Sequence, residues 1–391
     1  MRVRCVRVTF AALLLVPGRV ASAQPSLPPV RPLSEPTLVA VVTFSPSTSF
    51  RPLADGRVIV NDIPNRSVML FDTALVQTKV IYDNSTMGVA KYPAAGGEMF
   101  TGPGDSTYIS DLPAGGFRVI GPDGRLVRRQ TLLDIRAIIS TAGGTVMGPE
   151  NQLYTATTLV PRAPREFSAE PHDSLLLIRI HLDSRRRDTL GIIDMRTPTR
   201  SEVVDSIQRP GGGWMATKVH NIMPAFEIGD AMAINSFGQL AVIRATDFHV
   251  DWLNADGSWR HSPPTAWIWQ HLSQAEKDSI AAIVKSSFVS GNGPVQMTMD
   301  AGPVPDVAPA FAPMSSVPDR EGRIWVQVAP RASTRVARRR QYAALDSAGR
   351  IVDQILLPTD RTLAGFGPPG TIYVVWRDGH EATLERYSLK P

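Results

Sequence analysis

The feature that most constrains the fold is a short phrase that recurs along the whole chain. In each copy, a turn that carries Gly or Asp is followed by a strand rich in Val, Ile and aromatic residues. The copies are ADGRVIVND (54–62), PGDSTYISD (103–111), PENQLYTAT (149–157), SFGQLAVIR (236–244), REGRIWVQV (320–328) and PPGTIYVVW (368–376). Such self-similarity indicates a repeat architecture in which each copy belongs to one supersecondary unit.

The spacing of the copies predicts the size of the unit. When Ile59, Tyr108, Tyr154, Ala241, Trp325 and Tyr373 are aligned, the steps are 49, 46, 87, 84 and 48 residues. Three of these steps match one propeller blade, for which ~40–50 residues are typical. Each of the two longer steps contains either one repeat with an insertion or two repeats of which one is degraded.

A second phrase follows the first and consists of a strand, a tight turn and a closing strand. Clear examples are 117–132 with the turn PDG, 249–260 with ADG and 341–358 with SAG. Gly in such turns supplies the positive φ that tight hairpins require. Together with a short strand before each first phrase, this predicts four antiparallel strands per unit.

The two ends of the chain complement each other. The last copy ends one strand short at 382–389, whereas residues 37–45 (TLVAVVTFS) form a strand with no partner nearby. We therefore predict an all-β fold, a six-bladed β-propeller of four-stranded antiparallel blades whose last blade is completed by the N-terminal strand. Such closure removes the free sheet edges that invite aggregation. Seven or eight blades and an open solenoid are the alternatives, and a solenoid would leave residues 37–45 unpaired.

The repeats resemble those of the secreted bacterial six-bladed β-propeller proteins of the NHL and TolB-like groups. The resemblance rests on the segments DGRVIVND, GPDGRLVRR, EGRIWVQV and DSAGRIVDQILLP, and it covers nearly all of residues 37–391. A helical insertion before the fifth blade also matches that group. The resemblance implies the fold and says little about activity, because propellers host unrelated functions on one architecture.

Residues 1–23 have the three-part layout of a secretory signal. A basic start is followed by an apolar run over 8–16 and by small residues at 21–23. We predict cleavage between Ala23 and Gln24, a Pro-rich linker over 24–36, and a secreted or periplasmic product. A membrane anchor is the alternative, but the apolar run has about half of the ~20 residues that a span needs.

Cleavage at this position would change the charge and the cysteine content of the protein. It removes four arginines, which lowers the formal net charge from +5 to +1, and it removes the single cysteine, Cys5. A nucleic-acid-binding role then loses its support, because phosphate binding requires a broad basic surface. We expect a monomer without disulfides, thiolate metal sites or transmembrane segments.

The longest segments between predicted strands fall on one face of the predicted propeller. They are the B–C loops 158–173 and 329–340 and the crossovers 194–230 and 262–310. Binding sites lie disproportionately on loops that a rigid scaffold holds, so we predict that a protein or small-molecule ligand binds this face. Tolerated surface insertion is the alternative.

The insertion at about 262–310 contains a predicted amphipathic helix at 273–288. Ser273 is a suitable N-cap, and Glu276 is its capping-box partner. Apolar residues at helical spacing, Ile283 among them, are expected to pack against the propeller. The helix acts either as a lid over the channel or as plain packing.

The candidate ligand-binding residues form three groups. They are Asp62, Asp111, Arg244 and Arg377 at the ends of second strands, Trp267 and Trp269 in the longest insertion, and Arg338, Arg339 and Arg340 in a basic run. The charged strand ends suit a charged ligand, the tryptophans offer contact surface, and the basic run suits an acidic partner, an anionic glycan or a lipid headgroup. The structural alternatives are turn capping, loop cores and a solvated loop.

The sequence carries no phosphate-binding glycine loop, GxSxG, HExxH or EF-hand spacing, so no catalytic residue, metal site or cofactor is predicted. His249 and Asp251 could form a metal or acid–base element, but a surface ion pair beside Trp252 is the preferred interpretation. The main prediction is therefore a binding or scaffold module. The alternative is a metal-dependent lactonase or lyase with a divalent ion such as Ca²⁺ on the axis, for which Asn235 and Glu98 are the only obvious ligands.

Overall fold

β-strands dominate the chain, and the described residues form six main sheets, a smaller sheet and a helix. The computed structural model describes residues 27–85, 91–93, 97–111, 113–131, 145–157, 174–194, 200–208, 214–226, 228–286, 296–313, 315–329 and 339–389. The predicted signal at 1–23, the loop 158–173 and Arg338 lie outside these ranges.

The strands follow one another along the chain in groups of four. Strands β1 (Val30–Pro32) and β2 (Leu38–Val39) come first and join later sheets. Sheet I contains β3 (Ser49–Pro52), β4 (Val58–Asp62), β5 (Ser67–Phe71) and β6 (Gln77–Asp83). Sheet II contains β7 (Met99–Thr101), β8 (Thr107–Asp111), β9 (Gly116–Ile120) and β10 (Leu126–Thr131). Sheet III contains β11 (Thr145–Met147), β12 (Gln152–Thr157), β13 (Ser174–His181) and β14 (Arg187–Asp194).

The second half repeats this order around an insertion. The insertion begins with β15 (Arg200–Gln208) and β16 (Trp214–Met223). Sheet IV contains β17 (Ala231–Ile234), β18 (Leu240–Arg244), β19 (His249–Leu253) and β20 (Trp259–His261). Helix α1 (Gln274–Ser286) and β21 (Gln296–Ala301) follow. Sheet V contains β22 (Val317–Pro318), β23 (Ile324–Val328), β24 (Gln341–Leu345) and β25 (Ile351–Leu356). Sheet VI contains β26 (Arg361–Phe366), β27 (Thr371–Arg377) and β28 (Ala382–Ser388).

Glycines set the tight turns within these sheets. Gly56, in the turn between β3 and β4, has φ +90°, and Gly349, in the turn between β24 and β25, has φ +76°. Only glycine adopts this region without steric cost, which explains why the repeated phrase carries it.

Apolar residues on both faces of each sheet pack against the neighbouring sheets. In β4, Val58 and Val60 face sheet VI, whereas Ile59 faces sheet II. Buried clusters of this kind lie between each main sheet and the next, and one lies between sheets VI and I. The first strands of the six sheets also contact one another in chain order, and β26 contacts β3. The two-residue alternation of a strand therefore builds intersheet cores on both sides.

The N-terminal segment supplies the outer strands of the last two sheets. As predicted, it pairs antiparallel with the end of the chain, with Leu38 opposite Arg386 and Phe44 bridged to Ala382. Residues 30–32, within the segment predicted as a linker, pair parallel with β25 of sheet V.

Two of the long crossovers form one small sheet instead of separate loops. Strand β16 pairs antiparallel with β15 and parallel with β21, so that Lys218–Met223 lies opposite Gln296–Ala301. This insertion sheet was not predicted from the sequence, because its strands come from crossovers that are separated by all of sheet IV.

Helix α1 lies between sheets IV and V, where the helical insertion was predicted. The capping box is present, since Ser273 N donates to Glu276 Oε2 at 2.8 Å. Ile280 is buried against Leu272 and Ala308, but Ile283 is 57% exposed, so the prediction that Ile283 packs inward is wrong. Within the described ranges, no helix has the length and apolar character that a membrane crossing needs.

Phe44 provides a test of the link between the two ends of the chain. Its ring is 6% exposed and lies 5.1 Å from the ring of Phe50 and 5.5 Å from that of Phe71. Replacing a buried Phe with Ala leaves a cavity, so Phe44→Ala should lower the free energy of unfolding by about 3–5 kcal/mol in a urea titration. The control Val41→Ala, at a residue that is 91% exposed, should change it by less than about 0.5 kcal/mol. Equal effects of the two substitutions would contradict the packing described here.

Candidate functional site

A cavity of about 450 Å³ lies where the first strands of the six main sheets meet. Residues from every one of these strands, and from several turns that follow them, form its wall. Much of the wall is apolar and includes Met99, Met147, Ile234, Val317 and Phe366. We call this the central cavity.

Arg51 is the buried cation of the central cavity. Its side chain, on β3, is 5% exposed, and its Nε donates to Thr101 Oγ1 at 3.2 Å. Its Nη1 donates to Thr107 Oγ1 at 2.5 Å and to the Asp105 carbonyl at 3.1 Å, while Nη2 donates to Asp105 Oδ1 at 3.1 Å. Burial lowers the pKa of Arg51 to about 10; Asp105 opposes this shift and Arg320 adds to it. The guanidinium is therefore still charged at neutral pH.

Arg320 reaches the same carboxylate from sheet V. It lies in the turn between β22 and β23, and its Nη1 donates to Asp105 Oδ1 at 3.2 Å while Nη2 donates to the Pro52 carbonyl at 3.2 Å. Asp105 Oδ2 accepts from the Ala54 amide at 2.6 Å. One carboxylate thus serves two guanidinium groups, and the three side chains together carry a net positive charge. Arg320, at 31% exposure, is the cation that a molecule in the cavity can reach.

The described lining does not fit the axial divalent ion that the lactonase or lyase alternative requires. Asn235 lines the cavity, but its Oδ1 accepts from the amides of Phe237 and Gln239 at 3.1 and 2.9 Å and so caps its own turn. Glu98 lies just before β7 and is not among the lining residues; partial desolvation raises the pKa of its carboxyl. Asp105 is already paired with two arginines. The other carboxylate of the lining, Asp319, is engaged too: its Oδ2 accepts from Arg323 Nε and Trp325 Nε1, and its Oδ1 caps the turn that follows β22. An oxygen cage for a divalent ion needs several free carboxylate or carbonyl oxygens, and in this lining the carboxylates are already paired.

Two of the predicted ligand-binding residues cap the turns that follow their strands. Asp62 Oδ2 accepts from Asn65 Nδ2 at 2.9 Å. Asp111 Oδ1 accepts from the Ala114 amide at 3.3 Å, and its Oδ2 accepts from Arg118 Nε at 2.9 Å. Both carboxylates are engaged within sheets I and II, and neither lines the central cavity.

The two predicted arginines join neighbouring parts of the fold. Arg377 donates from Nε and Nη2 to the carbonyls of Pro46 and Thr48 at 2.9 and 3.0 Å, which links sheet VI to the segment before sheet I. Arg244 pairs with Asp230 and Asp251 in sheet IV. The structure does not bring the four charged strand ends together, and their binding of a ligand stays a prediction.

The tryptophans and the basic run occupy different surroundings. The Trp267 ring packs edge-on against the buried Phe248 ring at 5.7 Å, whereas Trp269 is 37% exposed. Arg339 Nε donates to the Leu357 carbonyl at 3.1 Å, and Arg340 is exposed. Trp269 and Arg340 therefore remain available at the surface, and Trp267 is part of the core between sheets IV and V.

Sheet IV holds a second polar cluster, in which His261 joins the predicted pair of His249 and Asp251. His249 Nε2 and His261 Nδ1 lie 3.0 and 2.5 Å from Asp251 Oδ1. Burial raises the pKa of Asp251, but hydrogen bonds from Arg244 and His261 outweigh it, so this pKa lies below its usual value. Among the described residues, these three form a compact group of potential metal ligands. His261 was not predicted from the sequence, although the ADG turn of this hairpin sets the register that places it opposite Asp251.

Comparison with known proteins gives similarity at the level of structure alone. No family model and no characterised protein sequence matches the chain. A gluconolactonase from Xanthomonas campestris is 12% identical, with 92% of this chain and 98% of that chain covered and a TM-score of 0.40. The calcium-binding protein regucalcin from Agrobacterium tumefaciens is 11% identical, with coverages of 93% and 98% and a TM-score of 0.40. Virginiamycin B lyase from Staphylococcus aureus is 10% identical, with coverages of 87% and 80% and a TM-score of 0.35. Similarity this low assigns neither a fold nor an activity to the chain.

The contribution of the shared Asp105 carboxylate to the free energy of unfolding can be tested by substitution. Asp105→Ala should lower the free energy of unfolding by about 3–5 kcal/mol in a urea titration, because it leaves the buried Arg51 charge without its partner. The double variant Arg51→Met/Asp105→Ala should lose less than the sum of the two single variants, since it removes the unpaired charge. Glu35→Ala, at an exposed carboxylate, is the control and should be nearly silent. Additive losses in the double variant would show that the two side chains are not coupled.

Proposed function

We propose that the chain is a closed six-bladed β-propeller, with β2 completing the last blade, and that its central cavity binds a small anionic molecule. The closed ring is supported by the contact between β26 and β3 and by the apolar cluster that joins sheets VI and I. The binding function is supported by one observation above all: two arginines and one aspartate converge on a cavity to which all six sheets contribute.

The cavity suits a ligand that combines an anionic group with an apolar part. Its volume of about 450 Å³ lies within the ~300–1,000 Å³ of typical small-molecule sites. Arg320 presents a planar fork of N–H donors, which matches carboxylate and phosphate oxygens, and Arg51 reinforces the positive potential from behind. The methionine and aliphatic lining would contact the remainder of the ligand. With the predicted signal at 1–23, the ligand would be met outside the cytoplasm.

The second candidate is hydrolysis or elimination at the same cavity, the lactonase or lyase alternative that the sequence left open. The names of the gluconolactonase and the lyase belong to those proteins and add no weight at such TM-scores. The observation in favour of this candidate is Arg320, since a partly exposed guanidinium can stabilise the oxyanion that develops when an ester or lactone opens. Side chains of the cavity wall would have to carry this step by themselves, because the donor set of the described lining does not suit a divalent ion.

A ligand screen tests the proposal. The full chain is incubated with mono- and dicarboxylates, sugar acids and phosphate esters while thermal unfolding is followed. A ligand at about 100 times its dissociation constant adds about 2.7 kcal/mol, which raises the unfolding temperature by roughly a few degrees. We expect anions to produce this shift, Arg320→Met to abolish it, and Arg187→Met, at an exposed arginine of sheet III, to retain it. No shift with any anion, or an unchanged shift in Arg320→Met, would refute anion binding in the cavity.

Turnover separates the two candidates. Lactones and esters are added to the same variants, and acid release is followed with a pH indicator in the presence and absence of divalent ions. If Arg320→Met reduces acid release and Arg187→Met leaves it unchanged, the cavity is catalytic, and the second candidate function is the correct one. Binding without acid release would leave the protein a receptor for its ligand.

A further inference from the structure

We propose that the cluster of sheet IV is a site for a transition-metal ion such as Zn²⁺, with His249 Nε2, Asp251 Oδ1 and His261 Nδ1 as ligands. This site is separate from the central cavity and does not depend on the proposed function. The three ligand atoms lie within 4.8 Å of one another.

The hairpin of β19 and β20 places the three side chains together. Asp251 lies directly opposite His261 in the antiparallel register, and His249 precedes Asp251 by two residues, which puts it on the same face of β19. This face is turned toward sheet III, because Arg244, which pairs with Asp251, also donates to the Ile192 carbonyl at 2.8 Å. The site is thus built on regular strands, which hold ligands more firmly than loops do.

The hydrogen-bonding capacity of His249 points to a cation in the cluster. Its Nδ1 lies 2.5 Å from Asp247 Oδ1, and its Nε2 lies 3.0 Å from Asp251 Oδ1. A neutral imidazole has one N–H, so it can satisfy only one of these two carboxylates. A metal ion between Nε2 and Asp251 Oδ1 would satisfy both of these atoms while Nδ1–H donates to Asp247. His261 Nδ1 turns toward the same Asp251 oxygen, so two ring nitrogens and a carboxylate converge on one point.

The surroundings of the ligands match those of metal sites. Asp247 accepts from His249 on the ring nitrogen opposite the cluster, the carboxylate–histidine arrangement that orients metal-binding imidazoles. Arg244 Nε holds Asp251 Oδ2 at 2.6 Å, which leaves Oδ1 to face the histidines. The charges of Asp230, Asp247, Asp251 and Arg244 sum to about −2, which a divalent cation neutralises.

The chemical nature of the three ligand atoms determines which metal ions suit the site, and the exposure of His261 determines how an ion enters it. Two imidazoles and one carboxylate suit Zn²⁺, Cu²⁺, Ni²⁺ or Co²⁺, whereas Ca²⁺ and Mg²⁺ prefer oxygen ligands throughout. Ligands at 2.0–2.1 Å from a tetrahedral ion lie about 3.3 Å apart, so the His261 ring must move outward by several tenths of an ångström on binding. Its side chain is 65% exposed, which permits this shift and gives the ion and a water ligand access from solvent.

Metal titration of the full chain tests the site. The protein is freed of metal with a chelator, dialysed, and titrated with Zn²⁺ by calorimetry and with Co²⁺ by visible absorption. We expect one equivalent of Zn²⁺ and a Co²⁺ spectrum with nitrogen ligation, and no heat with Ca²⁺. Asp247→Asn should weaken Zn²⁺ binding about 10–100-fold, as loss of an orienting partner does, and His249→Ala or His261→Ala should weaken it further. His380→Ala, in an exposed turn, is the matched control and should bind as the unaltered chain does.

Two results would overturn the site. One is the absence of stoichiometric Zn²⁺ binding, or binding that His261→Ala leaves unchanged in a variant with an unaltered circular dichroism spectrum. The other is a ¹⁵N spectrum in which His249 Nε2 stays protonated at pH 7.5 with Zn²⁺ present. Either result would assign the cluster to hydrogen bonds among its own side chains, without a metal ion.

Discussion

Backbone pairing between the two ends of the chain is the interaction on which the rest of the structure depends. Sheets V and VI would each present an unpaired outer edge, and the N-terminal segment covers both, first parallel to β25 and then antiparallel to β28. Side chains reinforce these bonds: Arg31 pairs with Asp353, and Phe44 enters the cluster between sheets VI and I. Because each edge is a row of unsatisfied N–H and C=O groups, the segment covers two longer edge strands with the short strands β1 and β2, and short edge strands lower the risk of aggregation.

The chemistry at the centre depends on this arrangement. Arg51 lies on the first strand after the N-terminal segment, and Arg320 comes from sheet V, so the two meet at Asp105 only when the sheets lie around a common centre. Charge that is buried in this way is weak evidence of stability, because desolvation offsets most of the attraction. The proposed function would account for a guanidinium that is buried here with one shared carboxylate.

The sequence predicts what is local or repeated. The glycine turns predict the hairpins, the unpaired strand at 37–45 predicts the pairing of the chain ends, and Ser273 with Glu276 predicts the start of the helix. The cationic site could not be predicted, because Asp105 and Arg320 are 215 residues apart and no pattern in either turn specifies the other. The insertion sheet could not be predicted for the same reason, because nothing in the sequences of β16 and β21 indicates that these two strands pair. His261 is different, because the register of the hairpin alone places it opposite Asp251. The polar cluster of sheet IV could therefore have been predicted from the sequence.

The parallel pairing of β16 with β21 has a consequence for how the chain acquires its structure. All of sheet IV and α1 lie between these two strands, so the chain from Trp214 to Ala301 forms a large loop whose two ends are zipped together. During synthesis the hairpin of β15 and β16 emerges first, and the open side of β16 has no partner until β21 is complete, nearly eighty residues after Met223. Contacts of such long range form late, because loop closure must precede them. The pairing of β16 with β21 therefore cannot be completed before sheet IV has been synthesised, and until then the free edge of β16 is open to other chains.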